Sequence, residues 1–190
     1  MECGWIIRIK NMKKLILLIF LLAVNFISSQ EKLISKSGKV TLEASVPAFE
    51  EIKATNTGVT VVLNSKTGEI ASLSLLKGFR FKIALMEEHF NENYVESDKY
   101  PKATFRGKIS GFNLNSLSST AKEYKINGTM ELHGTTKEIS IIANIRKNTS
   151  GIEVVSDFSI LASDYNIQIP SIVKNKVSNK INLKLEATLK

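Results

Sequence analysis

Two histidines, His89 and His133, are the side chains of this sequence best suited to general base catalysis or to metal binding. His89 directly follows Glu87 and Glu88, and carboxylates beside an imidazole are the usual ligands of a divalent cation. Consecutive residues of a helix point about 100° apart, however, so these three side chains do not converge on one ion. We therefore predict no metal site, and we expect both histidines to be solvated surface residues.

The sequence also lacks a recognisable set of residues for nucleophilic catalysis. The only cysteine, Cys3, lies close to the N-terminus, so a cysteine nucleophile or a disulfide scaffold in the rest of the chain is excluded. Ser163 and Asp164 are adjacent, which is more typical of a turn than of a catalytic triad. We predict no catalytic residues and no cofactor, and therefore that the protein is not an enzyme. An enzyme that acts on a bound lipid, with His89 or His133 as the base, is kept as an alternative.

The N-terminal 30 residues have the pattern of an export signal. Lys13 and Lys14 precede an unbroken apolar run from Leu15 to Val24, and small polar residues follow it. A helix of that length spans about 15 Å, which is half of the hydrocarbon core of a bilayer. We predict a signal peptide over residues 1–30, with the true start of translation near Met12. A single domain over residues 31–190 would then be soluble after cleavage, and periplasmic or secreted.

The formal net charge of +8 raises the question of a nucleic-acid partner. The lysines are spread along many segments, and aromatic residues do not interleave with them as a stacking platform for bases would require. We predict no nucleic-acid partner and a basic, solvated exterior.

Apolar and polar residues alternate along most of the chain after Lys39. This period of two is typical of strands that bury one face, and turn-forming residues such as those at 64–68 and 147–151 separate the segments. Helices and strands do not alternate, which disfavours a parallel sheet. We predict an all-β fold, an antiparallel barrel of about eight strands. The alternating segments are 40–44, 79–83, 103–109, 124–132, 139–145, 152–160 and 181–189.

One segment departs from the strand pattern. Met86, Phe90 and Tyr94 are four residues apart, and acidic residues occupy other positions between 84 and 97. This spacing predicts a short amphipathic helix that caps one end of the barrel. Its three apolar side chains, Met86, Phe90 and Tyr94, are the predicted lid over the barrel mouth.

Several segments resemble the YceI-like family of exported, lipocalin-like proteins. The most specific is MEEHFNENYVESDKYPKATF (86–105), which is similar to the family's "hF…yP…tF" segment; GTMELHGTTK (128–137), SGKVTL (37–42) and KGFRFKI (77–83) also fit. The resemblance covers roughly residues 36–189. It implies a lipocalin-like barrel, and some members of the family hold a polyisoprenoid chain.

The sequence departs from the family pattern at ASDYNI (162–167). Ala162 stands where an arginine is common, which removes a possible partner for a ligand head group. Asn166 stands where a glycine is common, and asparagine is the next best residue for a left-handed turn. The turn is therefore expected to persist, while the preference for a head group is open.

The resemblance favours a barrel with an apolar cavity rather than a packed interior. It implies a carrier for a long-chain amphiphile of the polyisoprenoid or fatty-acid type, with no covalent chemistry, no metal and no cofactor other than the bound lipid. Small residues at inward positions (Gly107, Gly128, Ala143 and Ser156) are expected to leave volume for it. The predicted ligand-binding residues are Phe79, Phe81, Phe105, Met130, Leu132, Phe158, Ile160, Leu183 and Leu185.

A small outer-membrane barrel would show the same alternation with its apolar face outward. Such barrels need strands of about 9–11 residues and aromatic girdles, whereas the segments here suggest strands of five to eight residues and aromatic residues make up 7% of the chain. We predict no stable membrane insertion. The oligomeric state, a dimer among the options, is left open by the sequence.

Overall fold

The computed structural model describes residues 32–47 and 49–190, and these form an antiparallel β-barrel. The predicted signal peptide, residues 1–30, lies outside the described residues. The strands of the described part are β1 (Lys32–Ser45), β2 (Lys53–Asn64), β3 (Glu69–Leu75), β4 (Arg80–Phe81), β5 (Lys102–Ile109), β6 (Lys122–Leu132), β7 (Thr135–Asn148), β8 (Gly151–Leu161) and β9 (Val177–Leu189).

The helical segments are short and connect the strands. Helix α1 (Ala84–His89) continues into one π-helical turn, Phe90–Tyr94. Single 3₁₀ turns occur at Leu76–Gly78, Leu114–Ser116, Ala162–Tyr165 and Ser171–Val173. Within the described ranges, no helix is long and apolar enough to span a membrane.

Eight strands close the barrel in the order β1-β9-β8-β7-β6-β5-β3-β2, and β1 pairs with β2 to complete the ring. Every neighbouring pair is antiparallel. The two-residue β4 pairs with Ala54 and Thr55 of β2, outside the part of β2 that pairs with β3. The predicted fold class, an antiparallel barrel of about eight strands with a short capping helix, is confirmed.

The period of two in the sequence places one face of each strand inside the barrel. In β6, for example, Tyr124, Ile126, Met130 and Leu132 are buried, and the residues between them, such as Lys125, are exposed. Burial of the apolar face is the main favourable term of folding, and a register slip by one residue would reverse the two faces.

The predicted strand length of five to eight residues was wrong for most of the barrel. β1, β2, β6, β7, β8 and β9 have 11 to 14 residues, because backbone pairing continues past the apolar run; β1 does so through irregular pairing around Gly38. The predicted strand at 79–83 shortens to β4, since α1 begins directly after it at Ala84.

The interior has two parts. At one end the side chains pack against each other in a dense cluster, called here the packed end, which includes Leu63, Ile109, Ile145 and Leu189, each at most 1% exposed. A second cluster, which includes Phe79, surrounds the other end, called here the mouth end. The connections at the mouth end are residues 46–47 and 49–52 after β1, 82–101 before β5, the tight turn 133–134 between β6 and β7, and 162–176 before β9.

The wall is paired unevenly between β7 and β8. Along β6 the pairing of β7 runs from Leu132 opposite Thr135 to Lys122 opposite Ile145. Between β7 and β8, by contrast, it stops at Asn144 opposite Val155, five pairs from the hairpin turn. Beyond this point residues 135–143 of β7 and 156–161 of β8 pair with β6 and β9 but not with each other. This stretch of the wall between β7 and β8 is called here the seam.

Candidate ligand cavity

A cavity of about 530 Å³ occupies the mouth end of the barrel. Its floor is formed by side chains that also contact the packed end, so the cavity is closed on that side. The floor residues are Val40, Phe105, Ile141, Phe158 and Leu185. A volume of this size is within the range of sites that hold small organic ligands.

All nine predicted ligand-binding residues line this cavity. They come from five strands and from the residue before β4, because each strand contributes its inward positions at the same height of the barrel. Phe79 and Phe81 flank Arg80 of β4, and the others lie on β5, β6, β8 and β9. The nine are Phe79, Phe81, Phe105, Met130, Leu132, Phe158, Ile160, Leu183 and Leu185.

The three predicted lid residues, Met86, Phe90 and Tyr94, also line the cavity. The Phe90 ring packs edge-on against Phe79, with centroids 5.6 Å apart, and lies 5.2 Å from the Phe81 ring. These contacts fix the helical segment to the strand below it.

Glu87 ties α1 to β4 on the outer side. One carboxylate oxygen accepts a hydrogen bond from Nη1 of Arg80 at 2.9 Å, and the other accepts one from the backbone N–H of Phe81 at 3.1 Å. The backbone carbonyl of Glu87 in turn accepts from the amide of Asn91 at 2.8 Å. Glu87 therefore orients the segment that carries the lid residues.

The lining is apolar except for a few side chains. Glu50, His89 and Lys176 are the described lining residues that can carry charge at neutral pH, and all three are exposed. Tyr94 contributes a phenol, and burial raises its pKa above the usual value, so that it stays neutral. All described lining residues that can be charged at neutral pH thus lie at the rim of the cavity.

Two serines of β3, Ser72 and Ser74, are the remaining hydroxyl groups of the interior wall. Thr104 also lines the cavity, but its hydroxyl donates to Glu131 at 3.4 Å and is engaged there. Ser72 and Ser74 lie opposite Phe105 and Ala103 of β5 in the register, so their neighbours across the ladder are apolar.

Several wall residues were missed by the sequence prediction. Val40, Leu42 and Ala44 on β1 belong to the alternating segment 40–44. Their inward parity was therefore a signal in the sequence that they line the cavity. Ser72 and Ser74 lie in a segment that is apolar on both parities, where the sequence does not reveal the inward face. The other apolar residues missed are Phe49, Ile52, Leu76, Val95, Ala103, Ile141, Ala162, Ile167, Ile169, Val173, Val177 and Ile181.

The prediction that small inward residues leave the volume was wrong. Ala143 is fully buried within the packed end, and Ser156, 2% exposed, donates a hydrogen bond to the carbonyl of Ile142 at 2.6 Å. Gly107 and Gly128 face each other across β5 and β6, where they allow close approach of the two backbones. None of the four lines the cavity, and the small residues that do line it are Ala44, Ser72, Ser74, Ala103 and Ala162.

The prediction that His133 is a solvated surface residue was also wrong. Its side chain is only 10% exposed and bonds to Glu96 and to the carbonyl of Tyr165. The reason is the tight turn between β6 and β7, in which His133 and Gly134 both have positive φ and the imidazole turns inward against Tyr100. His89 is exposed, as predicted.

The geometry offers no assembled catalytic group in the described part of the chain. His89 lines the cavity rim without a hydrogen-bonded partner, and His133 is outside the lining. No three His, Cys, Asp or Glu side chains among the described residues are placed to hold a metal ion.

The turn at 162–167 agrees with the expectation for Asn166. Its φ is +57°, in the left-handed region, and its side-chain amide donates to the Thr135 hydroxyl at 2.9 Å. Ala162 is 3% exposed and lines the cavity, so this position contributes no charge to the wall. Tyr165 is 1% exposed, and burial raises the pKa of its phenol, with a further contribution from Asp164.

A second, smaller cavity of about 250 Å³ lies at the seam. Ile160 lines both cavities and therefore forms part of the partition between them. The polar side chains around it, which include Lys137, Glu138 and Lys180, lie on the outer side of the wall.

Solved structures of known proteins have the fold of this chain. Three solved structures share the fold: a polyisoprenoid-binding domain from Saccharophagus degradans, BcnA from Burkholderia cenocepacia, and a YceI protein from Campylobacter jejuni. They have TM-scores of 0.73, 0.64 and 0.57 at 15%, 13% and 18% identity. The matches cover 85%, 78% and 76% of this chain and 99%, 94% and 89% of theirs.

A search of curated protein sequences gives no significant match. The sequence model of the YceI-like domain, however, matches residues 26–189, which is most of the chain and includes every strand described above. This protein is therefore a member of the YceI-like family.

Proposed function

We propose that this protein is an exported carrier that holds one amphiphile, of the polyisoprenoid or fatty-acid type, in the barrel cavity without changing it covalently. The observation that carries the proposal is the cavity itself: about 530 Å³, lined by apolar side chains from many elements and closed at the packed end. The match to a polyisoprenoid-binding domain supports the same class of ligand.

The energetics are sufficient for such a role. A chain that buries about 400 Å² of apolar surface gains on the order of 10 kcal/mol before the costs of association. Those costs are about 4–15 kcal/mol, so a tail must be buried along most of its length to bind tightly. The apolar lining meets that requirement without a charged anchor.

The volume sets the size of the guest. At about 30 Å³ per group, which is the volume of a water molecule in the liquid and close to that of a methylene, the cavity holds about eighteen heavy atoms. A single tail of that size fits inside, whereas a much longer polyisoprenoid would extend through the mouth.

Export belongs to the proposal because of the N-terminal pattern at residues 1–30. A carrier with an apolar interior and a signal peptide would work in the periplasm or outside the cell. Intact mass measurement of the protein secreted by its own host tests this, with a mature N-terminus expected near Glu31. An unprocessed chain retained in the membrane fraction would contradict it.

The direct test is to purify the mature protein from its own host and to analyse the organic extract by mass spectrometry. We expect one amphiphile per chain, and we expect stripped protein to take up a tritiated long-chain alcohol. Protein that is empty on isolation and also refuses such chains would contradict the proposal.

Fractionation without detergent addresses the alternative of an outer-membrane barrel. The buried apolar parity of the strands faces the barrel interior, which is the reverse of the arrangement expected in a bilayer. The carrier is expected in the aqueous fraction.

A further inference from the structure

We infer that Ser72 and Ser74 form a polar recognition point inside the cavity and that the guest carries an uncharged hydroxyl or carbonyl oxygen that bonds to them. This rests on the proposed function. It adds the chemical class of the group that is recognised and places that group within the barrel rather than at its rim.

The two serines share one face of β3. Residues two apart on a strand point to the same side and lie about 7 Å apart, and both line the cavity. Ser74 is 9% exposed and Ser72 is partly buried, and neither hydroxyl has a hydrogen-bond partner among the described residues. Both oxygens stay accessible from the cavity, so each hydroxyl keeps its donor and acceptor capacity for a group of the guest.

The charge of the lining decides which group that is. Each serine hydroxyl can donate one hydrogen bond and accept others, so it suits an alcohol or a carbonyl oxygen equally well. A carboxylate or phosphate at this depth would lose its hydration without a cation to replace it. The described cation of the lining, Lys176, is exposed at the rim with His89, and the wall beside Ser72 and Ser74 is apolar.

The test compares three guests of the same chain length: 1-hexadecanol, hexadecane and hexadecanoate. Each is delivered as a cyclodextrin complex to stripped wild-type protein and to the S72A/S74A variant, and bound ligand is measured by gel filtration with tritiated 1-hexadecanol and by competition. Serine to alanine removes only one oxygen from each residue, so folding is expected to be preserved and is checked by circular dichroism.

We expect S72A/S74A to weaken the binding of 1-hexadecanol by roughly 3- to 30-fold, the effect of one or two hydrogen bonds. The affinity for hexadecane should stay within twofold of the wild-type value. Wild-type protein is expected to bind hexadecanoate at pH 8 at least tenfold more weakly than 1-hexadecanol. Ser140→Ala serves as the matched control, because Ser140 is exposed on β7 and is outside the lining; it should leave the hexadecanol affinity within twofold. Tyr94→Phe tests the phenol at the mouth, and we expect the preference for the alcohol over the alkane to persist in this variant.

Equal changes for the alcohol and the alkane, or no change for either, would overturn the serine assignment and leave the carrier function intact. An alcohol preference that disappears in Tyr94→Phe rather than in S72A/S74A would also overturn it, as would tight binding of hexadecanoate. If wild-type protein binds none of the three guests, the proposed function fails together with this inference.

Discussion

The Nε2 atom of His133 lies 2.6 Å from a carboxylate oxygen of Glu96, although the two residues are 37 positions apart in the sequence. The Nδ1 atom of the same ring lies 3.0 Å from the backbone carbonyl of Tyr165. A carbonyl oxygen only accepts, so Nδ1 donates the bond to Tyr165. One imidazole thus connects the segment after the lid, the turn between β6 and β7, and the turn at 162–165.

We predict that His133→Ala lowers the free energy of unfolding by about 1–3 kcal/mol, because the carbonyl of Tyr165 would lose its partner in a buried position. The contribution of Glu96 is smaller, since its side chain is 44% exposed. Urea denaturation measures the effect. His89→Ala is the matched control, since His89 is exposed and should change stability by less than about 0.5 kcal/mol. Equal effects of the two substitutions would contradict the role of His133.

The close approach of β5 and β6 predicts a strict requirement for glycine at position 128. A Cβ there would lie 2.2 Å from the carbonyl oxygen of Arg106 and 2.6 Å from the Cα of Gly107, so the backbones would have to separate. We expect Gly128→Ala to destabilise the barrel by about 2 kcal/mol or more.

The control for that substitution is Gly58→Ala on β2. Its added Cβ would meet only the side-chain oxygen of Asn56, at 3.6 Å, an ordinary contact. Thermal or urea unfolding should show a change of less than about 1 kcal/mol. A Gly128→Ala variant as stable as the Gly58→Ala variant would show that the strands can separate at little cost.

The seam predicts alternating hydrogen exchange along β7. The register directs the backbone groups of Ile139 and Ile141 toward β6, where the ladder is continuous, and those of Glu138 and Ser140 toward β8, where pairing has ended. Amides without ladder partners exchange faster. NMR-detected exchange should therefore show slow amides at 139 and 141 and fast ones at 138 and 140. Uniform protection along these four residues would mean that the seam is paired in solution.

The cavity volume predicts a limit on chain length. Affinity for a series of 1-alkanols should increase by about 0.8 kcal/mol for each buried methylene and should level off near eighteen heavy atoms, when the cavity is full. Competition against tritiated 1-hexadecanol gives the series.

A floor variant tests whether the floor sets that limit. Phe158→Ala removes a side chain that lies between the cavity and the packed end, so the plateau should move to longer alkanols. Its cost of about 3–5 kcal/mol in stability is checked by urea denaturation before binding is measured. Leu183→Ala, on the side wall, is the control and should widen the cavity without extending the plateau as far. A plateau at the same length in all three proteins would contradict the floor assignment.

The barrel and much of its lining could be predicted because a strand's period of two identifies the buried face directly. Strand parity predicts that Phe105, Met130 and Leu183 face the interior, and the family resemblance favours a hollow interior for them to line. Met86, Phe90 and Tyr94 followed from helical spacing in the same way.

Features that depend on contacts between distant segments could not be predicted. The burial of His133 results from a turn whose positive φ values reverse the direction of the side chain, and its partners lie 32 and 37 residues away. The inward face of Ser72 and Ser74 was hidden because their segment is apolar on both parities. The position at which the pairing between β7 and β8 ends also depends on closure of the barrel, and the local sequence does not specify it.

Because the dense cluster at one end and the hollow at the other share strands but few side chains, stability and selectivity have separate locations in this molecule. Substitutions around the hollow can change which guest is accepted while Leu63, Ile109, Ile145 and Leu189 continue to hold the ring together. The scaffold is therefore suited to redesign for the binding of new small molecules, with the residues of the packed end left unchanged.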